Sequence, residues 1–117
     1  SQFFPAIANV VDVVCPMPYT DLFSQGAMDI ADPTAVPKKT LYKFSTIAKR
    51  QMDEIGTQAI YRTWIQAYSP FDASDVKAEI KGINKVGFEG YLIWFGNGDP
   101  NDLKGVQKGF VDSKIKN

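Results

Sequence analysis

The chain has 117 residues, with 13 basic and 13 acidic side chains, no histidine and one cysteine. A net charge of zero gives no electrostatic basis for binding nucleic acid or an anionic membrane surface, and the absence of histidine excludes Ser-His-Asp and Cys-His catalysis within the chain. The sequence predicts no disulfide, no transmembrane segment, no metal site and no cofactor.

The first predicted strand is a near-continuous apolar run at residues 10–17, preceded at residues 3–9 by a loop or the end of a helix. Such a run is typical of a parallel strand that is buried on both faces. Cys15 lies within it, so we predict a buried structural thiol rather than a nucleophile. The long segment from Tyr19 to Pro37 shows no sustained period and is typical of a functional loop.

A helix is predicted over residues 37–55, because apolar side chains recur at spacings of three and four until Gly56, which suits the position after a helix. The central strand is predicted at residues 58–68. The face expected to lie under a helix comprises Tyr61, Thr63, Ile65 and Ala67. The opposite face carries Arg62, Trp64 and Gln66, which either point to a ligand or fill the protein interior.

A second helix is predicted from a cap at Asp72, with Asp75 in its first turn, to Gly87. A third buried strand at residues 88–95 and a weaker helix from Asn101 complete the pattern. Strands that alternate with helices predict an α/β fold with parallel βαβ units. A sheet of three parallel strands leaves two open edges. Residues 1–117 are therefore interpreted as one partial α/β domain. It is either a piece of a longer polypeptide or a subunit that completes its sheet by oligomerising.

Several short motifs lie in order along the chain: Val11-Asp12, Pro16-Met17-Pro18-Tyr19, Gly26, the stretch from Arg62 to Tyr68, and the stretch from Gly90 to Phe95. With these motifs the chain resembles a family of glycoside hydrolase (β/α)8 domains related to the α-amylase-like sugar hydrolases. The resemblance covers nearly the whole chain and implies the last three strands of a TIM barrel, a βαβαβα unit that is incomplete on its own. It also implies an extracellular or cell-surface location. The chain departs from the family at Ala67, where the family has Asp, and at Phe95, where it has Asn.

We predict a carbohydrate site formed by Tyr19, Arg62, Trp64, Gln66, Trp94 and Asn97. Tryptophan rings offer flat faces to the C–H side of a sugar, while Arg and Gln donate to hydroxyl groups. In the alternative interpretation, both tryptophans fill a barrel and Arg62 pairs with a buried carboxylate outside this chain. No convincing carboxylate pair follows the strands, so the catalytic residues stay unassigned.

Two functions remain open from the sequence. The first is a part of a glycoside hydrolase barrel that supplies the aromatic and Arg/Gln wall of a cleft for a polysaccharide or oligosaccharide. The second is a non-catalytic α/β binding or structural module that forms a homo-oligomer. A phosphate-binding α/β protein is disfavoured, because no Gly-rich loop follows a strand and opens a helix.

Overall fold

The structure is a computed structural model that describes residues 4–96 and 99–113. The helices are α1 (Phe4–Ala8), α2 (Pro37–Ile55), α3 (Ala73–Val86) and α4 (Pro100–Ser113). The strands are β1 (Val13–Val14), β2 (Ile60–Tyr61), β3 (Thr63–Gln66) and β4 (Tyr91–Trp94). Two short 3₁₀ turns, Thr20–Leu22 and Ala27–Asp29, lie in the connection between β1 and α2.

All strand pairs are parallel: β1 pairs with β2, and β3 pairs with β4. The amides of Ile60 and Arg62 donate to carbonyls of the first strand segment, whereas the Ala67 amide donates to the Trp94 carbonyl at 2.8 Å. Because alternate amides of an extended segment point to opposite sides, residues 60–67 form the middle of the sheet. The predicted parallel α/β class is confirmed, while its correspondence to part of a TIM barrel stays a prediction.

Helices α2 and α3 begin and end where local sequence signals predicted. Pro37 occupies the first turn of α2, and Gly56 follows that helix in the left-handed conformation at φ 66°. At the start of α3 the Asp72 side chain accepts hydrogen bonds from the Ser74 and Asp75 amides, while the Asp75 side chain accepts from the Asp72 amide. This capping box confirms the predicted cap.

The core lies between the helices and one face of the sheet. The predicted buried face of the central strand is confirmed, since its members have exposed fractions of 3% or less: Tyr61, Thr63, Ile65 and Ala67. Ile65 packs in one cluster with side chains from all three long helices: Leu41, Val76, Ile80, Ile83 and Val106. Burying each large aliphatic side chain contributes about 1.5–3 kcal/mol. This cluster therefore fixes the helices relative to the strands.

The first strand differs from its prediction. Regular pairing is confined to Val13–Val14, and Val13 is 41% exposed whereas Val14 is buried. The prediction of a strand buried on both faces is therefore wrong, and the predicted burial of Cys15 is also wrong, because that thiol is exposed. Side chains alternate along a strand, so Val13 and Cys15 share the face opposite Val14. Within the described residues, the Val14 face is covered by Ala8 of α1 and by Ala48 and Met52 of α2.

Candidate functional site

The segments that follow β1 and β3 meet at the carboxyl edge of the sheet, where open α/β folds place ligands. The Tyr68 hydroxyl donates to the Asp21 carboxylate, with its oxygen 3.1 and 3.0 Å from Oδ1 and Oδ2. The Tyr19 ring lies edge-on to the Tyr68 ring, with centroids 6.3 Å apart. After β4 the chain passes beside Tyr68 at Gly96, where an added Cβ would lie 3.4 Å from the Tyr68 Cβ. The segments that follow β1, β3 and β4 therefore converge around Tyr68.

Gln66 fixes the position of the turn after β1. Its side-chain Oε1 accepts hydrogen bonds from both the amide and the hydroxyl of Thr20, each at 3.1 Å. Gln66 and Thr20 are both fully buried, so these bonds form in a low-dielectric environment, where hydrogen bonds are stronger. Because Thr20 lies between Tyr19 and Asp21, the Gln66 side chain positions both neighbours at the edge.

Glu79 on α3 completes this hydrogen-bond network from the helix layer. Along the middle strand, the amides of Ile60, Arg62 and Trp64 donate in turn to the first strand segment. The next amide in that series, from Gln66, donates to Glu79 Oε1 at 3.1 Å instead. The Glu79 carboxyl thus accepts the bond at the point where the chain after β1 turns away from the sheet.

The Glu79 side chain is fully buried. Burial raises its pKa well above the ordinary value of 4.5, and the Asp75 charge raises the pKa further, while the bond from the Gln66 amide opposes the shift. Within residues 4–96 and 99–113, two buried side-chain atoms lack a hydrogen-bond partner: Gln66 Nε2 and Glu79 Oε2. The raised pKa favours a protonated carboxyl, which still accepts the Gln66 amide through Oε1.

Trp64 and Trp94 form an aromatic pair beside this network. Their ring centroids are 6.2 Å apart with planes at 82°, an edge-to-face contact. Gln66 pairs with Trp94 in the register of β3 and β4, so the Trp94 ring belongs to the carboxyl edge. Trp94 is 47% exposed and Trp64 is half-buried, so the pair presents ring surface to solvent.

The structure places two of the six predicted site residues in direct contact and links two others through Thr20. Trp64 contacts Trp94, and Gln66 holds the turn beside Tyr19. Arg62 lies apart, because it precedes Gln66 by four residues, about 13 Å along a strand. Its side chain covers Gly90, where an added Cβ would lie 2.9 Å from Arg62 Nε. The sixth residue, Asn97, lies outside the described residues.

The sequence interpretation missed Glu79, Thr20 and Tyr68 as parts of this site. A signal existed for Glu79, since it falls within the apolar stripe of Val76, Ile80 and Ile83 on one face of α3. A carboxylate in such a stripe is rarely buried without a specific bond. For Thr20 no local signal existed, because its partner Gln66 lies 46 residues away.

The groups at this edge are aromatic and acidic. Tyrosine and tryptophan rings lie beside the exposed Asp21 carboxylate, while the Glu79 carboxyl is buried. Within the described part of the chain, no group of three or more potential metal-ligating side chains occurs. Across the same residues, no helix is both long and apolar enough to span a bilayer.

Replacing Tyr68 with phenylalanine is expected to lower the free energy of unfolding by about 1 kcal/mol, because the Asp21 carboxylate loses its hydroxyl partner while the ring stays in place. Urea unfolding followed by circular dichroism measures the change. Tyr42→Phe is the matched control and should change stability by less than about 0.5 kcal/mol. Equal effects of the two substitutions would show that the bond to Asp21 contributes nothing.

These contacts define the class of the protein: a parallel α/β domain whose candidate ligand site lies where its strands end. A family model described as "Putative glycosyl hydrolase domain" matches residues 1–99, and the chain belongs to this family. Neither the curated proteins nor the solved structures contain a match to the chain. The predicted relation to glycoside hydrolases is confirmed at this level, whereas the relation to α-amylase-like barrels stays a prediction.

Proposed function

We propose that the domain binds a polysaccharide or oligosaccharide at the carboxyl edge of its sheet, as one wall of a glycoside hydrolase cleft. The observation that carries this proposal is the convergence of Tyr19, Tyr68 and Asp21 beside the exposed Trp64–Trp94 pair. Membership of a glycosyl hydrolase family supports a carbohydrate as the substrate class.

Each group at the edge suits a different part of a sugar. The half-exposed Trp94 ring stacks on the C–H face of a pyranose, and the Asp21 carboxylate accepts hydrogen bonds from its hydroxyl groups. Gln66 is assigned a positioning role, because its Oε1 already holds Thr20 and its side chain is buried. Arg62 contacts a sugar only if the cleft extends along the strand toward Gly90.

Hydrolysis requires two carboxyl groups on either side of the scissile bond. Asp21 is exposed at the edge, whereas Glu79 lies in the core and the Asp72 carboxylate is engaged in the cap of α3. We therefore propose that the general acid and base come mainly from other parts of a longer polypeptide. In that arrangement the described strands correspond to the last three strands of a (β/α)8 barrel, and the remaining strands cover the exposed face that carries Val13.

Replacing Trp94 with alanine is expected to weaken binding of soluble polysaccharides about tenfold, equivalent to about 1.4 kcal/mol. The reason is loss of the stacking surface at the strand end. Affinity electrophoresis against a panel of soluble starch, xylan and β-glucan measures the change. Val111→Ala, at a 57% exposed position on α4, is the control and should bind as the native chain does. Retarded migration that Trp94→Ala leaves unchanged would contradict the proposal.

A non-catalytic module that completes its sheet by oligomerising is the second candidate. It is favoured by exposed apolar side chains near β1 and β2, with Val10 79%, Met17 64% and Ile60 53% exposed. Light scattering combined with the polysaccharide titration separates the candidates. A monomer that binds glycans supports the first, whereas a tight oligomer that ignores glycans supports the second.

A further inference from the structure

The exposed Asp21 carboxylate retains most of its capacity to accept hydrogen bonds. Tyr68 donates its single hydroxyl proton to it, and the hydroxyl oxygen is almost equally far from the two carboxylate oxygens, at 3.1 and 3.0 Å. A carboxylate has about four lone-pair sites, so one proton leaves most of them unused. Because the Asp21 side chain is exposed, a ligand can reach these sites.

Tyr68 acts as a hydrogen-bond donor that keeps the Asp21 charge in place. Burial raises the pKa of Tyr68, and the hydrogen bond to Asp21 and the Asp21 charge raise the pKa further. The hydroxyl group therefore stays protonated at neutral pH and orients the carboxylate without neutralising it. The charges that act on Tyr68 all shift its pKa in this same direction, so the field around its hydroxyl is negative.

Basic residues are missing from the three segments that follow the strands at this edge. Residues 15–36, 67–72 and 95–99 contain no lysine or arginine, although the chain has 13 basic residues. The same segments contain several aspartates: Asp21, Asp29, Asp32, Asp72 and Asp99. Hydrogen bonds from backbone amides, as in the cap of α3, orient a carboxylate but do not remove its charge. A chain with no net charge thus has an acidic excess in the segments that form the proposed cleft.

Within residues 4–96 and 99–113, no lysine or arginine forms an ion pair with Asp21. The ion pairs in this part of the chain are Lys49–Asp53 and Lys108–Asp112, and each lies within one helix. Lys43 of α2 contacts the segment after β1, but it donates to the Met28 carbonyl rather than to a carboxylate. The Asp21 charge is consequently available to a ligand.

The aromatic rings beside Asp21 suit a cationic group as well. The Tyr19 and Tyr68 rings lie edge to face with centroids 6.3 Å apart, and both side chains are half-buried. The face of a tyrosine ring attracts a cation that lies within about 6 Å of its centroid. An ammonium group gains this attraction together with charge-assisted hydrogen bonds to a carboxylate, whereas a sugar hydroxyl forms only the weaker bonds of a neutral donor. The combination of rings and carboxylate therefore favours a cation.

We propose that Asp21, Tyr19 and Tyr68 form a subsite for the protonated amino group of an amino sugar. The cleft then prefers glycans with free amino groups to neutral glycans, and it disfavours uronic acids and sulfated sugars, whose charge has the same sign as the edge. The ammonium group donates to the unused lone pairs of Asp21, while a pyranose ring of the same glycan stacks on Trp94. This inference rests on the proposed carbohydrate cleft and names the class of sugar that the cleft takes.

The test compares a glucosamine oligosaccharide with the N-acetylglucosamine oligosaccharide of the same length and linkage, by isothermal titration calorimetry at a pH where the free amino groups are protonated. Acetylation removes the positive charge and keeps the sugar ring. We expect the amino form to bind at least about tenfold more tightly at low ionic strength, and the difference to shrink as salt is added. Equal affinities, or tighter binding of the acetylated form, would overturn the amino-group subsite and leave the cleft intact. Absence of saturable binding by both would overturn the cleft as well.

The variant Asp21→Asn tests the carboxylate itself. Asparagine retains an acceptor for the Tyr68 hydroxyl, so the turn after β1 should keep its position. We expect the preference for the amino form to fall from about tenfold to none. The matched control is Glu54→Gln, which removes the same charge at an exposed position near the end of α2, at the opposite edge of the sheet. The control should keep the native preference, and an equal change of preference in the two variants would overturn the proposal.

Discussion

Replacing Gly82 with alanine is expected to lower the free energy of unfolding by about 2–3 kcal/mol, even though alanine is the better helix former. A Cβ at this position would lie 2.4 Å from the Lys38 carbonyl oxygen and 3.1 Å from the Tyr42 amide nitrogen. Both are backbone atoms and cannot rotate away, so α2 would have to move off α3. That shift would disrupt the packing of Leu41 against the apolar face of α3.

Urea unfolding of Gly82→Ala measures this effect, with Asn84→Ala as its control. Asn84 is exposed two residues further along the same helix, so its substitution should change stability by less than about 0.5 kcal/mol, in the direction of helix propensity. Helix propensity predicts that Gly82→Ala raises the free energy of unfolding, whereas packing against α2 predicts that it lowers it. A more stable Gly82→Ala variant would therefore show that α2 and α3 do not approach each other closely at this position.

Elements with local signals could be predicted from the sequence. Residues 37–55 carry their own apolar period and end at Gly56, and the first turn of α3 contains its own capping box at Asp72 and Asp75. These signals act within a few residues, so no knowledge of the rest of the fold is needed. The alternation of side-chain directions along the central strand was predictable for the same reason, because period two is a property of the strand itself.

Features that depend on distant partners could not be predicted. An apolar run does not reveal whether a second layer covers both faces of a strand, which is why the burial of Val13 and Cys15 was predicted wrongly. Arg62 and Gln66 share a strand face by sequence, but their separation along the strand places them at different levels of the sheet. The bond between Gln66 and Glu79 joins a strand end to a helix face, and only the assembled fold brings them together.

Replacing Glu79 with glutamine is expected to change the pH dependence of stability more than any other single substitution in the site. The pKa of Glu79 in the folded chain is raised above 4.5 by burial, so the folded state binds its proton more tightly than the unfolded state. Its stabilising contribution is complete below pH 4.5 and is lost as the pH rises through the folded pKa. The loss amounts to about 1.4 kcal/mol for each pH unit in that interval.

The glutamine variant keeps an acceptor for the Gln66 amide and has no carboxyl group to ionise. Its stability should match that of the native chain near pH 4.5 and exceed it increasingly at higher pH, as measured by urea unfolding across a pH series. Glu79→Ala is the informative comparison, because it leaves the buried Gln66 amide without this acceptor and should cost about 2–4 kcal/mol in the same series. Native and glutamine curves that stay parallel would contradict a raised pKa.

The same two variants test whether the buried Glu79 carboxyl positions residues of the proposed cleft. If Glu79 holds the end of β3, then Glu79→Gln should retain native affinity for soluble polysaccharides, because the Gln66 amide and the Thr20 turn stay in place. Glu79→Ala should weaken glycan binding even where the chain remains folded. Without the Glu79 bond Gln66 is held less firmly, and the Gln66 side chain positions Thr20 and therefore Asp21, the next residue. Equal glycan affinity of the two variants under folding conditions would show that the edge is positioned without the Glu79 bond.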